Sequence, residues 1–368
     1  MTIYLILIAF ILGMSPIQYR MKRLYLTVCL LFVWIIIAFR SYLIGNDTIA
    51  YINAFPVLAN LPLSTYGTNP FNILFTQNRF EFGYTLFDKL IYHFTQNPQW
   101  LLICSATVII AAVWYFLYKY SKYPSLALII FVTSGFMSGS MSQIRQYMAW
   151  AISLISIKYI LENKLIKFIV TVIIAMLFHI SAIVVLPLYW LAKLKVNFKK
   201  IAIFSIIILP LFIFFNQISL FLQSFIKSYA VYSTGIANNG TTGYLSITVN
   251  LVTLLIFIAL SIYLIIKNHT FNKSNAKLIN LMLWMLICSV AIQLLSYNFS
   301  QFVRLGNYFV TADLILIPNE LREYKSYSIR NVLSIILIIY LVLNFVITNV
   351  LRPEWSSIIP YSFMNGMW

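Results

Sequence analysis

Long apolar runs alternate with short polar connections through most of the chain. They fall near 2–17, 24–39, 99–118, 124–140, 146–161, 165–179, 180–194, 201–215, 246–266, 278–297, 305–318 and 331–350. A bilayer core of about 30 Å takes about 20 apolar residues in a helix, and most runs approach that length. Continuous runs predict helices, because lipid offers no partner to an unpaired backbone group and barrel strands would alternate. The pattern therefore predicts an all-α polytopic transmembrane bundle of about twelve spans. It forms a single membrane domain over 1–368, with a large first outer loop at 40–98 and a second at 216–245.

Inside the first loop, Phe80, Tyr84, Phe87, Ile91 and Phe94 recur at helical spacing, which predicts an interfacial helix. The run 168–192 must cross and return between two lysines, Lys167 and Lys193. About 12 residues each way cover roughly 18 Å, so this hairpin stops short of the far surface. His179 sits near its tip, at the floor of a recess or as hydrogen-bonding glue between helices. No long internal repeat is visible, which counts against an inverted-repeat transporter.

Composition agrees with a lipid solvent: of 368 residues, 62% are hydrophobic and 9% charged, against about 25% charged in soluble domains. The first run lacks a basic lead-in, so no cleavable signal peptide is expected. The net charge of +17 is a topology signal rather than a nucleic-acid footprint. Placing 18–23 in the cytoplasm puts 18 of the 25 basic residues on the inner side, as the positive-inside rule asks, with both termini outside. The two cations divide unequally: 14 of 16 lysines lie inside, whereas five of nine arginines lie outside. Arginine's planar fork grips phosphate or carboxylate oxygens. The outer face thus looks equipped for an anion, unless each arginine is paired with one of the outer carboxylates, Asp47, Glu81, Asp88 or Glu354.

Cys29, Cys104 and Cys288 fall in apolar runs and read as packing residues. No Asp-x-Asp, His-Glu-x-x-His, Cys-x-x-Cys or glycine-rich phosphate loop occurs, so neither metal nor cofactor is expected. The short inner loops exclude a cytosolic catalytic domain for nucleotide sugars. Arg145 and Arg304 share a local setting, each a few residues after a serine placed to cap a helix descending from the outer face. A cation there is costly and asks for a partner or pocket, and a helix N-terminus favours the same anion. Snorkelling to the headgroups is the alternative.

Several of these residues carry a resemblance. Arg40, Gly-Asn-Asp-Thr-Ile-Ala-Tyr at 45–51 with Phe55, Glu-Phe-Gly-Tyr at 81–84 and Ile-Arg-Gln-Tyr-Met-Ala at 144–149 are matching pieces. So are Phe-His-Ile-Ser-Ala at 178–182 with Pro187, Arg304 before Tyr308-Phe309, and Pro360-Tyr361 in the tail. From about residue 20 onward the chain resembles the EpsG-type, Wzy-like family of exopolysaccharide and O-antigen repeat-unit polymerases.

The resemblance implies a glycosyltransferase of the bacterial cytoplasmic membrane. It would join oligosaccharide repeat units, carried on polyprenyl diphosphate, at the outer face. Flippase and chain-length regulator proteins are implied partners. On this reading Arg145 and Arg304 hold the diphosphate, and Asp47 or His179 is the general base. Arg40 helps the arginines or orients Asp47. Glu81 meets sugar hydroxyls or orients an arginine, and Thr48, Tyr84 and Gln146 complete the substrate-binding set. Asp47 also reads as an Asx-turn residue, and Glu81 as a surface acid beside Arg79 or Lys89. Two rival classes stand beside this one. One is a different lipid-linked glycosyltransferase with Asp47 as base and a polyprenyl monophosphate donor. The other is a transporter or flippase for a lipid-linked glycan.

Overall fold

The computed structural model describes residues 1–67, 69, 73–74, 79–214, 217, 240–269, 275–298 and 302–364. Among them the regular structure is helical, apart from one isolated antiparallel bridge between Arg40 and Phe363. In chain order the α-helices are α1 (Thr2–Gly13), α2 (Lys22–Ala38), α3 (Thr48–Asn60), α4 (Phe82–Phe94), α5 (Gln99–Tyr120), α6 (Pro124–Thr133), α7 (Phe136–Ser142) and α8 (Ile144–Leu161). There follow α9 (Leu165–Met176), α10 (Leu188–Leu191), α11 (Phe198–Ile213), α12 (Gly240–Asn268), α13 (Ala276–Leu295), α14 (Phe302–Val310), α15 (Leu316–Glu323) and α16 (Tyr327–Leu351). Most of 216–245, expected as the second outer loop, lies outside the described residues.

Among the described residues four helices, α5, α12, α13 and α16, are long and apolar enough to cross a membrane alone. The α6–α7 pair adds a fifth candidate, bent by 48° at its break. The all-helical fold is thus seen, but twelve crossings are not. The difference lies in runs whose hydropathy is continuous and whose backbone is not. The run at 165–179 forms a 12-residue helix, α9, about 18 Å long. The run at 180–194 becomes a 3-10 helix at Ile180–Val185 and the single turn of α10 after Pro187. The run at 305–318 is divided among α14, a 3-10 helix at Thr311–Leu314 and α15. Such breaks place backbone polar groups where other protein, rather than lipid, must satisfy them.

Where helices begin, local chemistry is visible. Pro124 opens α6 at a position whose N–H needs no partner. Asn197 caps α11 by accepting from the Lys200 N–H at 2.9 Å. The helix expected at Phe80–Phe94 forms as α4 and buries Tyr84, Thr85, Asp88 and Ile91 along one face.

α2, α5 and α8 run between two chemically different ends. At one end Lys22 donates to the Tyr118 and Ser121 carbonyls at the close of α5, at 2.7 and 2.6 Å. Lys277 reaches the Leu161 carbonyl and Asn163 Oδ1 at the close of α8. An ammonium beside free helix carbonyls offsets the negative end of the helix dipole. Arg40, Arg145 and the turn after α9 lie at the other end, which gathers the candidate site. Most of the buried apolar side chains of the described residues form one contiguous core from Tyr4 to Ile358.

Candidate active site

The loop between α2 and α3 brings Asp47 to this end. Gly45 has φ +91°, and a Cβ there would stand 2.8 Å from the Met141 carbonyl oxygen, so glycine suits both the backbone and the space. Arg40 is fully buried. Its guanidinium donates to the Ile37 carbonyl, to Ile44 at 3.4 Å and to Met141 at 2.8 Å. Thr48, also buried, donates from Oγ1 toward the Ile44 and Met141 carbonyls at 2.6 and 3.0 Å. Arg40 and Thr48 therefore build the loop through backbone carbonyls, and Arg40 does not pair with Asp47. Asp47 takes the N-cap position of α3 yet makes no side-chain cap bond. Its Oδ2 lies 3.6 Å from Arg304 Nη1, both side chains being over a third exposed.

Glu81 arrives from α4. The N–H groups of Gly83 and Tyr84 donate to the Leu177 carbonyl at 2.8 and 3.2 Å, docking the first turn of α4 on the end of α9. A Cβ at Gly83 would meet Leu177 backbone and Cβ at 2.8 Å, so only glycine permits this approach. The docking sets Glu81 beside His179. Glu81 Oε2 accepts from Arg145 Nη1 at 2.6 Å, and Oε1 accepts from the Ile180 N–H at 3.3 Å. It does not sit at the surface as a partner of Arg79 or Lys89.

Arg145 is the second residue of α8. The preceding serine does not cap this helix: Ser142 Oγ accepts instead from the Asn46 N–H at 3.0 Å. The serine before Arg304, at 300, lies outside the described residues. The Arg145 guanidinium lies 4.5 Å over the Phe80 ring, with Tyr51 and Tyr84 at 5.8 and 6.0 Å. Its hydrogen bonds to Glu81 and to the Arg79 carbonyl at 2.8 Å both leave from Nη1. Its buried Nε has no hydrogen-bond partner. The charge of Arg145 is thus paired with Glu81 through Nη1, while Nε itself is enclosed and Tyr51 lies within side-chain hydrogen-bond reach of the guanidinium.

His179 caps the 3-10 helix at Ile180–Val185, its Nδ1 accepting from the Ser181 N–H at 3.2 Å. That bond assigns the ring proton to Nε2 in the neutral state. His179 lies 3.9 Å from Glu81 Oε1 and within electrostatic reach of Arg145 and Arg304. Buried Gln146 donates from Nε2 to the Arg304 carbonyl, tying α8 to α14. The hydroxyls of Ser181 and Tyr308 stand 3.0 Å apart and tie α14 to the 3-10 helix. Gln146 thus acts on Arg304's backbone. Tyr84 is fully buried, stacked on Phe80 at 5.9 Å, with its hydroxyl unpartnered.

The structure therefore brings Asp47, Glu81, Arg145, His179 and Arg304 together from five separate stretches of chain. Of the five arginines expected on the outer side, two meet carboxylates here, and Arg352 lies 3.9 Å from Glu354. In the sequence Asp88 reads only as one of the outer carboxylates able to pair with an arginine; instead its two carboxylate oxygens are buried without partners. Burial pushes its carboxyl up to about 8, against the pull of nearby Arg145. Its place seven residues after Glu81, hence on the same helical face, was the available signal. Asn46 was missed; its amide donates to the Glu354 and Trp355 carbonyls, each at 3.2 Å.

No curated protein and no solved structure matches the chain. A family model, that of the EpsG family, matches residues 22–363, which include every residue of this site. By that match the chain belongs to the EpsG family.

Proposed function

We propose that the protein polymerises oligosaccharide repeat units carried on polyprenyl diphosphate, at the outer face of the bacterial cytoplasmic membrane, to make a surface polysaccharide. The single observation that carries this reading is the set Arg145–Glu81, Arg304–Asp47 and His179, gathered at one end of the bundle. Family membership supports the same reaction class.

In this mechanism the donor's diphosphate is drawn to the partly exposed guanidinium of Arg145 and to the loosely paired Arg304. A 3.6 Å pair exposed to solvent is weakly held, so an incoming phosphate separates Arg304 from Asp47 at little cost. Freed Asp47 then takes the proton of the acceptor sugar hydroxyl as its oxygen attacks the donor's anomeric carbon. The anomeric C–O bond to the diphosphate breaks, and the leaving group departs with the electron pair. Negative charge grows on that group, where the arginines stand. His179, with Nδ1 already accepting, serves as an Nε2–H donor toward the diphosphate rather than as the base. Glu81 orients Arg145. The arginines supply the charge a metal ion would otherwise supply, so the reaction is read as metal-independent.

Deletion of the gene, followed by sizing of surface glycans on a ladder gel, tests the function. Single repeat units in place of long chains support a polymerase. Absence of all surface units would instead indicate a flippase, and an unchanged ladder would remove the protein from this step.

A further inference from the structure

We infer that Asn46, held by the chain's C-terminal segment, is the positioning residue that aims Asp47 at Arg304. The inference rests on the reading of Asp47 as the proton acceptor.

After α16 the chain turns back and runs along residues 353–364 over the end of α2. The Ser357 carbonyl accepts from the Gly45 N–H at 2.9 Å, and the Ser362 carbonyl from the Ser41 N–H at 2.9 Å. The Met364 N–H donates to the Phe39 carbonyl at 3.0 Å, beside the Arg40–Phe363 bridge. Tyr361 donates from its hydroxyl to the Ile36 carbonyl at 2.9 Å, and Tyr4 donates to Ile358 at 3.1 Å. These bonds fasten the segment to α1 and α2 and leave its 354–357 stretch facing the Asp47 loop.

Asn46 is where tail, loop and α7 meet. Its side-chain amide spans two tail carbonyls, and its own N–H donates to Ser142 at the end of α7. Ser142 in turn donates to the Ser356 carbonyl at 3.4 Å. Asp47 follows directly and makes no cap bond of its own. Its place is therefore inherited from Gly45 and Asn46 on one side and from α3 on the other. An untied loop would lose this register, because each unfixed residue regains backbone conformational entropy.

The test uses the full-length protein in proteoliposomes, with a polyprenyl diphosphate-linked repeat unit as substrate. Asn46→Ala should lower kcat about tenfold with KM changed less than about twofold, because the phosphate-binding arginines are untouched. In an Asp47→Asn background the same change should cost under about twofold more, since a residue acting through Asp47 has nothing left to act on. Hydrogen exchange reads placement separately. In Asn46→Ala the amides of 41–46 should exchange about tenfold faster while α8 keeps its protection. Tyr361→Phe, which loosens the tail without touching the loop, should move the same amides in the same direction. Additive activity losses, or unchanged exchange at 41–46 in both variants, would overturn the inference. Full activity in Asp47→Asn alone would remove the base assignment; the exchange result would still decide whether Asn46 and the tail hold the loop.

Discussion

Arg145 Nη1 lies 2.6 Å from Glu81 Oε2, in a pair whose side chains are 15% and 9% exposed. Removing one partner of a buried pair strands the other's charge, at about 3–5 kcal/mol. Glu81→Ala should therefore lower the unfolding temperature and membrane abundance as well as activity. Glu81→Ala and Arg145→Ala together should destabilise by less than the sum of the single changes. Thermal unfolding of the four purified proteins measures this coupling; strict additivity would mean that the pair does not operate as a unit.

Gly83 is a purely steric test of how Glu81 reaches the site. A methyl group there stands 2.8 Å from Leu177, whose backbone lies at the end of α9. Gly83→Ala should push α4 off α9 and cost about 1–3 kcal/mol, as overpacking does. It should do so although alanine favours helix over glycine by about 1 kcal/mol. An unchanged or raised unfolding temperature would contradict the docking of α4 on Leu177.

Asp88 gives the structure a pH signature. Burial pushes its folded carboxyl up to about 8, whereas an unfolded aspartate titrates near 3.9. Between those values the folded state holds a proton that the unfolded state has lost. This contribution to stability is full below about pH 4, falls by up to about 1.4 kcal/mol per unit as pH rises, and is gone above about 8. Asp88→Asn should flatten that slope in detergent-solubilised protein. Identical pH profiles for the two proteins would show that Asp88 is not buried as a neutral acid.

Orientation is testable in intact cells lacking the three native cysteines, Cys29, Cys104 and Cys288. An impermeant thiol reagent should label a cysteine placed at Asp47 and leave one at Lys325 unlabelled, following the unequal division of basic residues. Labelling at 325 with protection at 47 would invert the assignment.

Much of the site is legible in the sequence because its chemistry is rare in an apolar chain. Cations at the ends of apolar runs are costly, so Arg145 and Arg304 stand out from hydropathy and charge alone. The helix carrying Glu81 shows in its 3.6-residue period. What sequence cannot separate are residues that share a motif and divide in role. Arg40 and Thr48 sit beside Asp47 in the chain, yet their side chains turn inward to backbone carbonyls. Such carbonyl acceptors leave no trace in a sequence. Hydropathy likewise runs unbroken through 165–194, although the backbone breaks at His179 and Pro187. Runs counted as spans are therefore helices too short to cross alone. Asp313, in the broken eleventh run, is buried with Oδ1 unpartnered, and nothing in the structure explains it.

The arginine clamp is the centre of the proposed mechanism, and Arg145→Lys probes it most directly. Lysine keeps the charge near Glu81 but lacks the planar fork that can hold Glu81 and still offer an N–H to a phosphate. Loss of one charge-assisted bond costs about 1.5–3 kcal/mol, or about ten- to a hundredfold in rate. The measurement is the polymerisation rate of purified Arg145→Lys on polyprenyl diphosphate-linked repeat units, with unfolding temperature recorded alongside. A rate at least about tenfold below wild type, in a protein that remains folded, is the result this account predicts. A wild-type rate from the lysine variant would contradict it and leave Arg145 as no more than the structural partner of Glu81.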